Sequence, residues 1–465
     1  MKRFLKILGI ILLSLTLIFF LSTSFVKRSS YFDEEYYKNT VVRIDSFRAE
    51  TLIINDSVQA GFARVSITPF LNSSEDNQNE GKFVQVPLAG YGDRKGKPAT
   101  GVHDSIFVRT VAFKINNQIL VLISADLLIM PPNIADSVTL MLAAEGIRRE
   151  QLVFSATHTH SSLGGWGPGF IGKQFSGIEN KNLERWLVHQ ISRSVTSAIS
   201  DLKVARIGSG CFDAEDFTRN RVIGESGTKN NDFCFISVEQ RGHRKAIIGS
   251  FSAHATTVGS DNMEISADYP GYWARKIEAT SADNALFFAG SVGSQSPAGK
   301  GDKFEKSEYI GEALADSVNK YLQHMELNYK ITFSYVPLKM ELPDYHIRLT
   351  PKINLSSFLS GKLMPPPENV YVQAIRIGNM VWITTPADFS GEYALQIKNA
   401  LAIKGFNSNV SSFNGSYVGY VVPGRYFYLN EYESRLMGWF GPDMGEYTMD
   451  MIRQISEVVT GSDNL

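Results

Sequence analysis

The sequence has almost no net charge and very few cysteines. Its 465 residues include 46 basic and 47 acidic side chains, so no charge excess argues for nucleic acid or for an anionic surface as a general partner. Cys211 and Cys234 are the only cysteines, and no spacing rule says whether they pair. We find no internal repeat. What is left is an ordinary globular composition whose length allows one large domain or two modest ones.

An apolar run near the N-terminus predicts export. Three basic residues precede the apolar residues 7–21 and a Ser-Thr-Ser triplet follows, which is typical of a signal sequence or an uncleaved anchor. The run is short for a full membrane span, and no cysteine lies directly after it as a lipoprotein anchor requires. We expect residues 1–28 to be this signal or anchor and residues 29–58 to be a linker. The domain would then lie on the outer face of the membrane, periplasmic or secreted, where a disulfide is permitted.

Strand-like and helical segments alternate through the chain. The strand-like runs are 107–113, 119–124, 152–157, 233–238, 247–252 and 286–289. The helical patterns are 134–144, 183–202, 272–279 and 309–322. This alternation predicts an α/β fold for residues 59–465, with sheets flanked by helices. Gly378-Asn379 between the runs 371–377 and 380–384 predicts a hairpin, so the sheet is expected to be mixed.

Two histidines at the end of a predicted strand are the strongest functional signal. His158 and His160 follow the apolar run 151–156 and precede a Gly-rich turn. Because they are two residues apart on an extended segment, their imidazoles point to the same side of the strand. Neutral imidazole suits zinc and other late transition metals. The alternative is that these polar residues only end the strand by hydrogen bonding to loop amides, but two of only eight histidines are paired here, which favours a metal site.

A third histidine repeats this arrangement. His254 follows the apolar residues 246–253 and precedes a Thr-rich loop. A metal usually takes three or four protein ligands, so we expect His254 to join His158 and His160 at the edge of a sheet. The alternative is an ordinary core histidine.

At this point the chain resembles the neutral, non-lysosomal ceramidase family. Any single matching segment is weak, but the segments occur in the order that the family has. They are the first strand at 61–69, the histidine segments at 157–161 and 251–256, the Asn-Arg pair at 220–221, the serine turn at 290–297, and the segments 385–389 and 417–421. The resemblance runs from the first strand to the C-terminal helix, and it implies the catalytic α/β domain of that family.

The resemblance also implies a function and a set of site residues. It implies a Zn2+-dependent hydrolase that cleaves the N-acyl amide bond of ceramide or of a related lipid amide. The zinc ligands that it implies are His158, His254, Asp388 and Tyr420. The residues that it implies beside the substrate are His160, Arg221, Ser296 and Tyr432. Zinc polarises a carbonyl and lowers the pKa of a bound water to about 7, so either that water or Ser296 makes the first attack, and the Tyr432 hydroxyl would stabilise the oxyanion.

The chain departs from the family pattern at several positions. Asp388 stands where the family has Glu, which shortens the carboxylate by one methylene, and Ser294 replaces an Asp in the serine turn. Asp388 is also a candidate helix N-cap, because a helical pattern opens at Gly391. Ser296 read alone indicates a Ser-Pro turn, and Tyr420 read alone indicates a core aromatic residue. The C-terminal sandwich domain of the family is expected to be absent, because the chain ends about one helix after the tyrosine segments.

Two other functions fit parts of the sequence. One is an amidohydrolase-type metal hydrolase, a β/α barrel in which a His-x-His pair opens the metal site. The other is a catalytically inactive, membrane-anchored binding protein of the ceramidase fold, for which the changes at Asp388 and Ser294 are the support. Pro365-Pro366-Pro367 predicts a loop or lid, because candidate site residues lie on both sides of it.

Overall fold

The computed structural model describes residues 2–27 and 30–461, and the predicted boundary between residues 28 and 29 lies outside them. The helices are α1 Lys2–Ser22, α2 Glu35–Glu50, α3 Pro132–Ala143, α4 Gly169–Ser176, α5 Lys181–Ser200, α6 Asp268–Thr280, α7 Lys303–Leu322, α8 Ser357–Leu363, α9 Gly391–Ile403 and α10 Met444–Thr460. The strands are β1 Thr23–Phe25, β2 Ile54–Ser66, β3 Gly101–Val102, β4 Phe107–Ile115, β5 Gln118–Ala125, β6 Leu152–Ala156, β7 Lys203–Asp213, β8 Thr218–Asn220, β9 Asp232–Gln240, β10 Lys245–Phe251, β11 Glu264–Ile265, β12 Asn284–Ala289, β13 Gln295–Pro297, β14 Lys330–Lys339, β15 Ile353–Leu355, β16 Tyr371–Ile377, β17 Met380–Thr384, β18 Asp388–Phe389, β19 Asn407–Ser411 and β20 Tyr420–Val421.

The central sheet has twelve strands and is mixed. One path through it runs β12-β10-β9-β7-β2-β14-β16-β17-β19, while β4 pairs with β2 and β5, and β5 pairs with β6. The pairs β5–β6, β10–β12 and β17–β19 are parallel, whereas the other neighbours run antiparallel. The hairpin of β16 and β17 turns at Gly378-Asn379 as predicted. The predicted α/β fold with mixed sheets is therefore confirmed, and the β/α barrel alternative is wrong.

The alternation of apolar residues explains why strands such as β5 are buried on both faces. Leu120 and Leu122 pack in a core made only of strand residues, whereas Val121 and Ile123 pack in a second core that includes α3 and α5. Successive side chains of a strand point to opposite faces, so one apolar run serves both cores. The helices α3 and α5 therefore cover one face of these strands, and other strands pack on the opposite face. Packing on both faces fixes the strand ends, where the candidate ligands lie.

The predicted linker contains a folded helix. In α2, Thr40 and Ile44 are buried. Tyr37 donates a hydrogen bond of 2.9 Å to Asp450 on α10, and Arg43 pairs with Glu341 at 2.7 Å. Residues 35–50 therefore lie against the domain, and the division of the chain into anchor, linker and domain stays a prediction.

The N-terminal apolar segment forms the helix α1, which is exposed along its length. It is long and apolar enough to cross a membrane, by length and composition, although a signal sequence has the same properties. Beyond it, β1 pairs with β15 in the register Thr23 to Leu355. This pairing joins the end of the apolar helix to the domain.

The two cysteines form a disulfide. Cys211 on β7 lies directly opposite Cys234 on β9, and the antiparallel pairing of these strands brings the two Cα atoms to 4.1 Å. The structure thus answers the pairing question that spacing alone left open.

Candidate metal centre and active site

Two strand ends bring the paired histidine segment and the third histidine together. His158 follows β6 and His254 follows β10, and a parallel bridge between Thr159 and Ala255 aligns the two segments. His158 has a φ of 62°, a left-handed conformation that costs a residue with a Cβ about 1–2 kcal/mol. Strain of this kind is concentrated at functional sites, where surrounding contacts hold it. The convergence predicted from the sequence therefore exists in the fold.

The hydrogen bonds of the two histidines fix their tautomers. Nδ1 of His158 lies 2.7 Å from the carbonyl oxygen of Leu128, and Nδ1 of His254 lies 3.0 Å from that of Gln295. A carbonyl oxygen only accepts, so both Nδ1 atoms carry the proton and both Nε2 atoms keep a lone pair. Burial lowers the pKa of His158 to about 3 and the pKa of His254 well below its usual value. Both rings are neutral at neutral pH.

Asp388 meets these lone pairs with one carboxylate oxygen. Its Oδ1 lies 3.4 Å from Nε2 of His158 and 3.4 Å from Nε2 of His254. Tyr417 donates a 2.6 Å hydrogen bond to Oδ2, whereas Oδ1 is buried and has no hydrogen-bond donor among the described residues. Burial raises the pKa of Asp388 to about 7. Because the histidines are neutral, these short contacts are not ion pairs.

The Nε2 atoms of His158 and His254 and the Oδ1 atom of Asp388 face one another, and a metal cation binds acceptor atoms of these types. The ligands of a tetrahedral metal with bonds of 2.0–2.2 Å lie about 3.4 Å apart, which matches the separations between Asp388 Oδ1 and the two imidazoles. His158, His160 and His254 also bring their ring nitrogens within 4.8 Å of one another. The buried cluster of three histidines and Asp388 is therefore compatible with a metal site.

Two further side chains lie close enough to complete four-fold coordination. His160 Nε2 is 3.2 Å from Nε2 of His158, and the Tyr420 hydroxyl is 3.2 Å from Nε2 of His254. Tyr420 reaches this place because β18 and β20 pair in the register that sets Asp388 beside Tyr420. The fold thus offers one more ligand than the four that a closed tetrahedral site needs.

Arg221 bonds to the Tyr420 hydroxyl at the edge of the cluster. Its guanidinium donates a 2.8 Å hydrogen bond to the Tyr420 hydroxyl and pairs with Glu433 at 2.9 Å. The neighbouring negative groups raise the pKa of Arg221 despite its burial, so it stays charged. Tyr432 packs edge-on against Tyr420, with ring centroids 5.8 Å apart, on a π-helical turn at Tyr432–Leu436. Arg221 and Tyr432 therefore both contact Tyr420 at the edge of the cluster.

Ser296 makes no side-chain hydrogen bond to the described residues of this cluster. Its hydroxyl accepts a 3.2 Å hydrogen bond from the exposed Arg219, its partner in the pairing of β13 with β8. The side chain of the preceding Gln295 is buried and donates to Thr218, so Ser296 points to the opposite face of the strand. Ser294 donates at 2.7 Å to the buried Glu392, which gives this replaced position a structural bond.

A cavity of about 310 Å³ opens beside the cluster. The candidate site residues in its wall are His158, His160, Asp388, Tyr420 and Tyr432. The apolar residues in its wall include Leu128, Ile129, Trp166, Phe175, Met364, Met437 and Trp439. Asn133, Asp136 and Glu368 add polar groups. Ser296 is not among the lining residues, whereas the Pro365-Pro366-Pro367 segment is.

The structure corrects one interpretation and adds two residues. The prediction that Asp388 caps a helix is wrong, because Ser390 takes the N-cap position of α9 and Asp388 lies on β18. Sequence reasoning missed Tyr417 and Glu433, which bond Asp388 and Arg221. Both residues lie inside or next to the tyrosine segments that the resemblance marked, and that nearness was the available signal.

Comparison with known proteins identifies the family. The family described as neutral/alkaline non-lysosomal ceramidase, N-terminal, matches residues 77–325, which include the three histidines but not Asp388. The chain is similar to the neutral ceramidase of Pseudomonas aeruginosa, with 23% identity over 448 aligned residues that cover 76% of this chain and 67% of that protein.

Solved structures share the fold. The crystal structure of neutral ceramidase from Pseudomonas aeruginosa matches with a TM-score of 0.69 and 18% identity, over 88% of this chain and 75% of that one. A ceramidase complexed with C2 matches with a TM-score of 0.73 and 18% identity, over 88% of this chain and 76% of that one. The family match spans more than half of the sequence, so the chain belongs to the neutral/alkaline non-lysosomal ceramidase family and is a ceramidase-like amide hydrolase, as the resemblance predicted.

Proposed function

We propose that the protein is a zinc-dependent hydrolase that cleaves the N-acyl amide bond of ceramide or of a related lipid amide, releasing a fatty acid and a sphingoid base or other amine. The observation that carries the proposal is the convergence of His158 Nε2, His254 Nε2 and the donor-free Asp388 Oδ1 in the wall of an apolar cavity. Nitrogen and carboxylate ligands at these separations suit zinc.

The proposed zinc ligands are His158, His254, Asp388 and Tyr420. When bound, zinc supplies a Lewis acid that polarises the amide carbonyl and promotes attack by water at neutral pH. Burial raises the pKa of the Tyr420 hydroxyl, and the positive charge of Arg221, which donates to that hydroxyl at 2.8 Å, opposes this rise. Family membership and the separations of these atoms support the set.

The remaining residues would act on the substrate directly. Tyr432 lines the cavity, and partial burial raises the pKa of its hydroxyl, so the hydroxyl stays protonated and can donate to the carbonyl oxygen as negative charge develops there. His160 is kept neutral because burial lowers its pKa, so it can accept a proton from the attacking water. The Ser296 hydroxyl faces Arg219, which favours water over Ser296 as the nucleophile.

The shape and polarity of the cavity favour a lipid amide. Trp166, Met364 and Trp439 give it an apolar wall that suits an acyl chain, whereas Asp136 and Glu368 add polar groups for a hydroxylated head. A substrate with one polar end and one apolar end is the chemical class that such a wall selects.

The test is hydrolysis of fluorescent ceramide by the purified full chain in detergent, with and without a chelator. We expect fatty acid release that the chelator abolishes and that added zinc restores. An N-acyl amino acid and a simple lipid ester, run in parallel, separate amide from ester hydrolysis. Turnover of other lipid amides without ceramide turnover would retain the hydrolase and change the substrate.

The inactive binding protein is the competing function. It predicts ceramide binding without turnover in the same assay, even after zinc is added. Turnover that persists at the full rate in the metal-free protein would contradict zinc dependence.

A further inference from the structure

Exposed apolar side chains adjoin one part of the cavity wall. The start of α4 and the end of α8 meet there, because a Cβ on Gly169 would lie 2.6 Å from the carbonyl oxygen of Leu363. We call the exposed apolar residues of these two segments the mouth patch: Pro168, Phe170, Phe358, Leu363, Pro365 and Pro366. Its three prolines also line the cavity, so the patch is continuous with the cavity wall. Phe358 is 72% exposed and Phe170 is 64% exposed, which is costly for large aromatic side chains in water.

The mouth patch adjoins the end of the apolar helix α1. The Ser356 amide, at the N-cap of α8, donates a 2.8 Å hydrogen bond to the carbonyl oxygen of Ser22, the last residue of α1. The pairing of β1 with β15 reinforces this junction. Phe358 lies in the first turn of α8, two residues after Ser356, and is therefore close in space to the end of α1.

The helix α1 has the dimensions of a membrane span. Its 21 residues correspond to about 31 Å, close to the thickness of the hydrocarbon core of a bilayer. Its apolar side chains are exposed, so no part of the described domain covers them. If α1 spans the bilayer, its Ser22 end lies at the membrane surface, and α8 lies there too.

We propose that the mouth patch inserts into the bilayer that holds α1, so that the cavity opens onto the membrane surface and takes its lipid directly from the bilayer. The partner of this surface is lipid. Lys362 lies with its ammonium 5.7 Å from the Phe358 ring centroid, and Lys173 is exposed on α4. Basic side chains next to aromatic residues that insert into a bilayer suit the headgroup layer, where lysine keeps its charge in water or next to anionic phosphate.

The part of this inference that names a lipid as the molecule entering the cavity rests on the proposed function. Contact between the mouth patch and the bilayer does not, because it is measured without turnover. The experiment compares Phe358→Trp with Ile403→Trp in the full chain, each reconstituted in vesicles of phosphatidylcholine and phosphatidylglycerol. Ile403 is the matched control, because it is 87% exposed at the end of α9, about 18 Å along that helix from its start beside Asp388. The fluorescence of the wild-type chain, which comes from its five native tryptophans, is subtracted from that of each variant.

We expect brominated acyl chains to quench the added tryptophan of Phe358→Trp at least about twofold, because an interfacial side chain lies ~5–10 Å into the boundary between headgroups and acyl chains. The added tryptophan of Ile403→Trp should show no quenching. Equal fluorescence of Phe358→Trp in brominated and ordinary vesicles would overturn the inference, as would equal quenching in both variants. Phe170→Trp repeats the test on α4, in case the substitution at Phe358 disturbs α8. Quenching of Phe358→Trp in a chain that hydrolyses no lipid amide would uphold membrane contact and contradict the proposed function alone.

Discussion

The Oδ1 atom of Asp388 lies 3.4 Å from Nε2 of His158. The imidazole has its proton on Nδ1, which donates to the carbonyl oxygen of Leu128. The Oδ1 atom of Asp388 has no hydrogen-bond donor among the described residues. A cation bound between these two acceptors would satisfy both, and burial of an uncompensated polar atom costs about 1–3 kcal/mol. A shorter Asp in place of the Glu of the family therefore still reaches the cluster.

Tyr417→Phe should weaken metal binding without removing a ligand. The variant loses the 2.6 Å hydrogen bond to Asp388 Oδ2, and loss of such a supporting bond typically costs about 10–100-fold in metal affinity or activity. Competition with a fluorescent zinc chelator measures the affinity. Tyr393→Phe, which loses a 2.8 Å bond to Glu446 outside the cluster, is the control and should keep wild-type affinity. Equal affinities for both variants would mean that Asp388 is not a ligand.

Ser296→Ala should retain activity. The hydroxyl bonds Arg219 and Ser296 does not line the cavity, so its removal should change kcat/KM by less than about threefold, because only contacts that strengthen in the transition state accelerate the reaction. The assay is ceramide hydrolysis, with circular dichroism as a check on folding. A folded, zinc-loaded variant with turnover reduced by orders of magnitude would restore Ser296 as the nucleophile.

Two variants decide between the candidate fourth ligands. Tyr420→Phe should lower zinc affinity by at least about 10-fold, and His160→Gln should keep the metal but lose turnover, because we assign His160 to the substrate. Zinc content after dialysis and the rate of hydrolysis are measured for both. The reverse pattern, with metal lost only in His160→Gln, would make His160 the ligand.

The sequence predicts those parts of the molecule that depend on local pattern. The runs 371–377 and 380–384 form β16 and β17 with the same bounds, because alternating apolar residues and a Gly-Asn turn specify a hairpin and its register. His158, His160 and His254 were found because each follows an apolar strand. The secondary structure of a segment with strong periodicity depends little on contacts with the rest of the chain.

Features that depend on distant contacts were not predictable. The helix α2 appeared as a linker because its sequence is polar, and its stabilising partners, Glu341 and Asp450, lie about 300 and 400 residues away along the chain. The direction in which the Ser296 side chain points depends on the register of the short strand β13, which no local pattern specifies. The carbonyl partners that fix the histidine tautomers are likewise contributed by the backbone, which carries no sequence signal.

The metal-free protein should lose stability as the pH falls below about 6.5. The folded-state pKa of His158 is lowered to about 3, so between pH 3 and 6.5 the unfolded state binds the proton more strongly, and the free energy of unfolding falls by about 1.4 kcal/mol per pH unit for this residue. His160 and His254 act in the same direction. Asp388, with its pKa raised to about 7, acts in the opposite direction below that pH.

Comparison with a variant isolates the histidine contribution. His158→Gln keeps an amide that can donate to the Leu128 carbonyl but does not titrate. Urea unfolding of both chelator-treated proteins should show the wild type losing about 1.4 kcal/mol more than the variant for each pH unit between about pH 4 and pH 6. Parallel pH profiles would mean that His158 is not buried as a neutral ring.

The most direct test of the account is the zinc content of the purified full chain beside His158→Ala and His254→Ala, each measured by elemental analysis after gel filtration. We expect about one zinc per wild-type chain, because the four proposed ligands converge on a single position. The account predicts none in either variant, with the fold retained. A wild-type chain that binds no metal when zinc is supplied, or variants that keep a full equivalent, would contradict it.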